Sequence, residues 1–88
     1  MKKIAVILGG CGTKDGSEIN ETVTLLLALD QFGVKYQCFA PDKNQYQVIN
    51  HVTGEVVAEK RNMMVEAARI VRGAILPLTD FKRHFRNI

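Results

Sequence analysis

The sequence is poor in cysteine, proline and aromatic residues, with two Cys, two Pro and no Trp among 88 residues. The two cysteines, Cys11 and Cys38, are too few for a disulfide scaffold and favour a reducing, cytoplasmic location. No apolar run approaches the roughly 18 residues that span a bilayer, so no membrane partner is expected. The apolar run at residues 4–8 is also shorter than the about 7 to 15 residues of an export signal.

The excess of positive charge is small. The sequence has 12 Lys and Arg residues and 9 Asp and Glu residues, which give a formal net charge of +3. Such a balance suits solubility and predicts no nucleic-acid partner. A hydrophobic content of 47% excludes the disordered and collagen-like classes. The length allows one domain, residues 1–88.

An α/β fold is predicted by the first half of the chain. Residues 4–8 form an unbroken apolar run that ends at glycines, which is typical of a strand covered on both faces of a parallel sheet. Ser17 is the predicted N-cap of a largely buried helix that continues through residues 22–32, and Gly33 follows its end. Residues 34–40 predict a second strand, so the two strands are expected to be joined by a right-handed parallel crossover.

The second half predicts shorter elements. Residues 46–50 and 55–58 flank a polar connection with a glycine and predict a small β-hairpin. Asn62 is expected to cap a second helix over residues 63–72. Residues 75–78 predict an extended segment, and the basic cluster at residues 82–86 is expected to be solvated.

The glycine-rich loop at residues 9–16 follows the first strand, where ligands bind in open parallel sheets. It is not a dinucleotide fingerprint, because Asp15 stands where a third glycine is required, and Lys14 lacks the neighbours of a Walker loop. Backbone N–H groups at a helix start attract anions, but Asp15, Glu18 and Glu21 oppose a phosphate there. Phosphate binding is therefore the weaker alternative.

Two residues of this region have candidate chemistry. Glu18 is placed to transfer protons in a cleft, although the residues alone favour a simple interaction with the helix dipole. Cys11, near a helix N-terminus, is a candidate nucleophile or redox centre with a lowered thiol pKa, although no histidine adjoins it in the sequence. Cys38 is expected to be a small core residue. His51 and His84 lack metal-ligand spacing, so no metal site is expected.

Seven short segments carry a pattern that extends beyond local structure. They are residues 3–12, 15–19, 39–42, 48–51, 53–55, 61–62 and 66–70. In their order and spacing, these segments resemble the bacterial enhancing-lycopene-biosynthesis proteins, an isoprenoid-biosynthesis-associated family of the ThiJ/PfpI superfamily. The resemblance extends to about Leu78.

The resemblance implies a flavodoxin-like, class I glutamine amidotransferase-like sandwich of three layers with a mostly parallel sheet, incomplete in this chain. It also implies a cofactor-independent, glyoxalase-type lyase activity on small aldehydes. Glu18 is then the catalytic glutamate, which in the family pairs with a cysteine on a nucleophile elbow that adds to the aldehyde. The supporting loop consists of Gly9, Gly10, Cys11 and Gly12.

The sequence also departs from the family. The Pro-Gly-Gly oxyanion loop and the nucleophile elbow are absent from these 88 residues, and the tail at residues 79–88 does not resemble the family's continuation. We therefore expect the chain to be inactive alone. A flavodoxin-like strand order of 2-1-3-4-5 places the first strand inside the sheet, which leaves one apolar edge unpaired in this chain. The expected partner is a missing C-terminal half or a second copy in a homo-oligomer. The alternative function is a non-enzymatic oligomerising or regulatory module that uses this edge.

Overall fold

The computed structural model describes residues 3–85 and contains two small sheets and three α-helices in that range. The elements in chain order are β1 (Lys3–Ile7), α1 (Ile19–Gln31), β2 (Lys35–Ala40), β3 (Val48–Ile49), β4 (Val56–Val57), α2 (Met63–Val71), β5 (Ile75–Pro77), a 3-10 turn (Leu78–Asp80) and α3 (Phe81–Phe85).

The main sheet has the strand order β1-β2-β5, and both strand pairs are parallel. Lys3 is opposite Lys35 at one end of the β1–β2 pair, and Ile7 is opposite Phe39 at the other. The predicted α/β fold with a parallel sheet is confirmed. The extended segment near residue 75 is strand β5, which pairs with the side of β2 that faces away from β1. Within residues 3–85, β1 is thus an edge strand.

One face of the sheet is covered by α1 and α2. Val6, Leu8, Cys38, Ala40 and Ala67 form the buried cluster on this face. Side chains of both helices pack against it, namely Leu26, Leu29, Met64 and Val71. Cys38 is a fully buried core residue, as predicted, and burial raises the pKa of its thiol.

Two predictions for helix α1 are wrong. The N-cap is Glu18 rather than Ser17, because the Glu18 side chain accepts a hydrogen bond from the Glu21 N–H at 2.8 Å. The helix is also not largely buried, since Thr22 is its one buried residue. Residues 25–29 are all apolar, and consecutive residues of a helix point in different directions. Leu25 and Leu27 are therefore exposed even though Leu26 faces the core.

The predictions for the middle of the chain are confirmed, with shorter strands than expected. Val48 pairs with Val57 and Ile49 pairs with Val56 in an antiparallel hairpin. The Asn62 side chain caps α2 by accepting a hydrogen bond from the Val65 N–H at 2.9 Å.

The prediction of a solvated basic cluster at residues 82–86 is confirmed for Lys82, Arg83 and His84, which are exposed, and is wrong for Phe85, which is buried. Residue 86 lies outside the described residues. Phe39 is buried on the sheet face opposite Cys38, and the rings of Phe81 and Phe85 each lie 5.7 Å from its ring. The Lys3 Nζ lies 5.8 Å from the centre of the Phe85 ring. Phe81 and Phe85 are four residues apart, a spacing that places both rings on one side of a helix. The basic residues between them concealed this apolar pattern in the sequence.

This packing predicts that Phe85→Ala lowers the free energy of unfolding by about 3 kcal/mol, because the change leaves a cavity against Phe39. Phe32→Ala is the matched control, since Phe32 is 84% exposed whereas Phe85 is 5% exposed. Urea denaturation followed by circular dichroism measures both. Equal effects of the two substitutions would contradict the assigned role of α3.

Candidate functional site

The loop between β1 and α1 is folded back on itself by backbone and serine hydrogen bonds. The Gly9 N–H donates to the Ser17 Oγ at 3.0 Å, and the Ser17 N–H donates to the Gly9 carbonyl oxygen at 2.8 Å. The Gly12 N–H donates to the Ser17 carbonyl oxygen at 2.9 Å. Ser17, predicted to cap α1, instead closes the base of this loop.

Two of the glycines are required by close packing. A Cβ atom at Gly16 would lie 2.7 Å from both the Cys11 backbone nitrogen and the Gly9 carbonyl oxygen. A Cβ atom at Gly12 would lie 2.6 Å from the Asp15 Oδ1 and 2.8 Å from the imidazole ring of His51. The glycines therefore allow the loop to contact both its own backbone and the hairpin.

Asp15 connects the loop to the hairpin. Its Oδ2 accepts a hydrogen bond from the Ile49 N–H at 2.7 Å, and its side chain is only 7% exposed. Its Oδ1 lies 3.6 Å from the His51 Nε2. This hydrogen bond fixes the position of the loop relative to the hairpin, although Asp15 and Ile49 are 34 residues apart in the chain.

His51 is held at both ring nitrogens. The Lys14 N–H donates to its Nε2 at 3.2 Å, and its Nδ1 lies 3.0 Å from the Ile49 carbonyl oxygen. This network assigns the neutral tautomer, in which Nδ1 carries the proton and donates while Nε2 accepts. With both nitrogens engaged, His51 positions the loop and is not free to act as a base for Cys11.

The loop, the hairpin and α2 enclose a cavity of about 270 Å³. Its walls carry ionisable groups of both signs. Those groups belong to Cys11, Asp15, His51, Glu59, Arg61 and Glu66. The Arg61 guanidinium bonds Glu59 at 2.9 Å and Glu66 at 3.2 Å, and these hydrogen bonds raise the pKa of Arg61. Most of the charge in the wall is therefore already paired.

The predicted low pKa of Cys11 is wrong in direction. Burial raises the pKa of the Cys11 thiol, and the Glu66 and Asp15 carboxylates raise it further, against a smaller opposing effect of Arg69. Cys11 is therefore protonated at neutral pH, which argues against its role as the nucleophile.

Glu18 lies directly after the loop, at the start of α1, and is half-buried. Its Oε1 accepts the Glu21 N–H, and its carbonyl oxygen accepts the Thr22 hydroxyl at 2.7 Å. Among the described residues, the side chains that line the cavity do not include Glu18. The structure thus brings the predicted loop residue Cys11 into the cavity and holds Glu18 at the helix start.

Sequence patterns alone gave no structural role to Asp15, His51, Arg61 and Glu66 in this region. The signal that could have found them was the resemblance itself, since its segments include all four positions. Within residues 3–85, no group of three or more His, Cys, Asp and Glu side chains is arranged to bind a metal ion. None of the helices in that range has the length and hydrophobicity needed to cross a membrane.

The solved isoprenoid biosynthesis protein with an amidotransferase-like domain from Ehrlichia chaffeensis has the same architecture, with a TM-score of 0.84 and 53% sequence identity. The similarity covers 86% of this chain and 36% of that protein. The family resemblance is confirmed. This chain has the fold of part of a class I glutamine amidotransferase-like domain.

The chain is also similar to curated mitochondrial proteins. The chain is 43% identical over 79 residues to the human mitochondrial glutamine amidotransferase-like class 1 domain-containing protein 3, and 44% identical over 79 residues to the mitochondrial ES1 protein homolog of Rattus norvegicus. Each match covers 89% of this chain and 30% of the relative, so the chain spans about a third of these proteins. No protein-family model matches the chain.

The packing of the loop predicts that Gly16→Ala costs about 2 kcal/mol of stability, because the new methyl group collides with backbone atoms that cannot rotate away. Gly9→Ala is the matched control, since its Cβ would lie at an ordinary 3.7 Å from the Met63 Sδ. Urea denaturation compares the two variants. A Gly16→Ala protein as stable as Gly9→Ala would contradict the folded-back loop.

The electrostatics of the cavity predict that Glu66→Gln increases the rate of Cys11 alkylation several-fold at about pH 7.5. Removal of the carboxylate lowers the pKa of the thiol, so the thiolate fraction increases at a fixed pH. The measurement is the pH profile of iodoacetamide labelling in a Cys38→Ala background, with Glu21→Gln as control. An unchanged or slower reaction in Glu66→Gln would show that Glu66 does not control this thiol.

Proposed function

We propose that this chain supplies the glutamate and the glycine-rich loop of a glyoxalase-type site that acts on small aldehydes. The observation that supports the proposal most directly is the position of Glu18. Glu18 is a half-buried residue that caps α1, at the end of the loop that follows β1. Open parallel sheets bind their ligands beyond the carboxyl ends of the strands, and a carboxylate there is placed to move protons.

The proposed chemistry requires a nucleophile from outside these residues. Cys11 is protonated, and His51 has both ring nitrogens engaged, so the chain has no activated thiol of its own. We therefore propose that the chain is inactive alone. A cysteine thiol on a nucleophile elbow of the completed domain would add to the aldehyde carbon to give a hemithioacetal. Glu18 would carry the thiol proton to the former carbonyl oxygen, which becomes the hydroxyl group. No cofactor takes part in the proposed reaction.

The second candidate is a non-enzymatic oligomerising or regulatory module. It is favoured by the edge of β1, which has no partner strand within residues 3–85. This candidate and the first are distinguished by whether aldehyde turnover depends on Glu18.

We propose a cytoplasmic location, on the basis of two free cysteines in the described residues. The human and rat relatives are both named as mitochondrial proteins. Cell fractionation with an antibody against the chain tests the proposed location, and recovery in mitochondria would contradict it.

The proposed function predicts that Glu18→Gln abolishes turnover of glyoxal and methylglyoxal in a preparation where the domain is completed, with a loss of at least about 100-fold. The completing polypeptide is the part of the Ehrlichia chaffeensis protein that this chain does not match, expressed together with the chain. The amide oxygen of the substituted side chain still accepts the Glu21 N–H, so α1 keeps its cap. The substitution thus removes the proton-transferring group and retains the fold.

Glu21→Gln is the control, because Glu21 is a neighbouring exposed carboxylate on the same helix turn. The complex that carries Glu21→Gln should retain aldehyde turnover. The chain assayed without the completing polypeptide should have none. Turnover that is equal in Glu18→Gln and in the unsubstituted complex would remove Glu18 from the mechanism.

A further inference from the structure

The Nε2 atom of His51 lies between two possible hydrogen-bond partners of opposite kind. It accepts the Lys14 N–H at 3.2 Å, and the same atom lies 3.6 Å from the Asp15 Oδ1. The first contact requires a ring nitrogen without a proton, whereas a hydrogen bond to the carboxylate requires a nitrogen that carries one. Protonation of the ring therefore decides which of the two loop residues His51 can bond.

The Asp15 carboxylate has one oxygen without a hydrogen bond. Its Oδ2 accepts the Ile49 N–H at 2.7 Å, but no hydrogen bond within residues 3–85 reaches its Oδ1. In the neutral tautomer, this oxygen faces a His51 nitrogen that has no proton to donate. A proton on that nitrogen would allow a charge-assisted hydrogen bond, since the separation is only a few tenths of an ångström longer than a normal one.

The hairpin side of this contact is the same in both protonation states. The Nδ1 of His51 carries a proton in the neutral tautomer and in the cation, so it donates to the Ile49 carbonyl oxygen at 3.0 Å in either state. The ring is thus anchored to the hairpin through one nitrogen. The bond of the other nitrogen to the loop is the one that changes.

The loop has little space to adapt without moving. A Cβ atom at Gly12 would lie 2.8 Å from the His51 ring and 2.6 Å from the Asp15 Oδ1, so the loop backbone lies directly against both groups. A protonated Nε2 would also place two donors, its own N–H and that of Lys14, against each other. The Lys14 Nζ lies beside the hairpin turn, 3.4 Å from where a Cβ of Gly54 would be, and a positive ring on the hairpin disfavours this ammonium as well.

The other titratable and charged groups around the cavity do not compete for the ring. The two glutamates of the wall both bond the Arg61 guanidinium. Within residues 3–85, Asp15 supplies the one carboxylate that contacts a ring nitrogen of His51. The groups that line the cavity without bonding this ring are Cys11, Glu59, Arg61 and Glu66, and Arg69 lies against Glu66.

We propose that His51 is a pH switch for the glycine-rich loop. On protonation by water, its Nε2 leaves the Lys14 N–H and donates to the Asp15 carboxylate, so the loop is released at one residue and held more firmly at the next. Histidine suits this role because its charge changes between about pH 5 and 8. The ring is 37% exposed, so water reaches it, whereas the Asp15 side chain is 7% exposed.

The switch acts on the cavity, because the loop that it moves carries Cys11 and forms one wall. Acidification therefore loosens this wall at Lys14. The inference stands on the contacts of His51 and does not depend on the proposed role of Glu18.

The experiment is an NMR titration of the isotope-labelled chain between about pH 8 and pH 5.5. As His51 gains its proton, protection of the Lys14 amide against hydrogen exchange, relative to its intrinsic rate, should fall at least about 10-fold, as expected for the loss of one hydrogen bond. The carboxyl carbon of Asp15 should shift with the same midpoint as the His51 ring signals.

His51→Gln is the test variant, because its side-chain carbonyl oxygen can accept the Lys14 N–H but does not titrate. Both changes should be absent from it. His84→Gln is the matched control, since His84 is the other histidine of the sequence and is exposed on α3. This variant should retain both changes. The amide spectrum of each variant at about pH 8 verifies that the fold is retained.

The titration of the unsubstituted chain is decisive by itself. Constant protection of the Lys14 amide while the His51 ring titrates would overturn the proposal. Release of Lys14 without a shift of the Asp15 carboxyl carbon would show that the ring does not turn to Asp15, and would also overturn it. Changes that persist in His51→Gln, or that disappear in His84→Gln, would assign the response to another group.

Discussion

Strand β2 is the element on which the main sheet and the three α-helices of residues 3–85 pack. It pairs with β1 on one side and with β5 on the other, and its last residues are buried on both faces. Cys38 and Ala40 face the two longer helices, while Phe39 faces the rings of α3. A strand covered in this way must be apolar at consecutive positions, which explains why its sequence does not alternate between polar and apolar residues there.

The buried carboxylate of Asp15 has a comparable role at the carboxyl end of the sheet. Its hydrogen bond to the Ile49 N–H fixes the distance between the glycine-rich loop and the hairpin, and the cavity lies between these two segments. The glycines are needed because the loop passes so close to Asp15 and His51 that a methyl group at Gly12 would collide with both. The loop geometry therefore depends on contacts within the chain, and a bound ligand is not required to explain it.

Features set by neighbouring residues were predictable from the sequence. The apolar run of β1, the Asn62 cap and the hairpin depend on local patterns, and each is present in the structure. The pKa direction of Cys11 was not predictable, because it depends on burial and on Glu66, which is 55 residues away in the chain. The same reason applies to Asp15 and His51, whose contact joins two segments that no local pattern relates.

The burial of α1 was predicted wrongly for a reason that concerns the whole domain. The helix carries apolar side chains over a wider arc than its contacts within residues 3–85 cover. A local pattern reports which residues of a segment are hydrophobic, whereas their burial depends on the elements that pack against the segment. Within residues 3–85 those elements cover one side of α1, where Leu26 and Leu29 lie, and leave Val23, Leu25 and Leu27 about half exposed. The hydrophobicity of α1 was therefore readable from the sequence, but the fraction of it that is buried was not, because that fraction depends on contacts between segments distant in the chain.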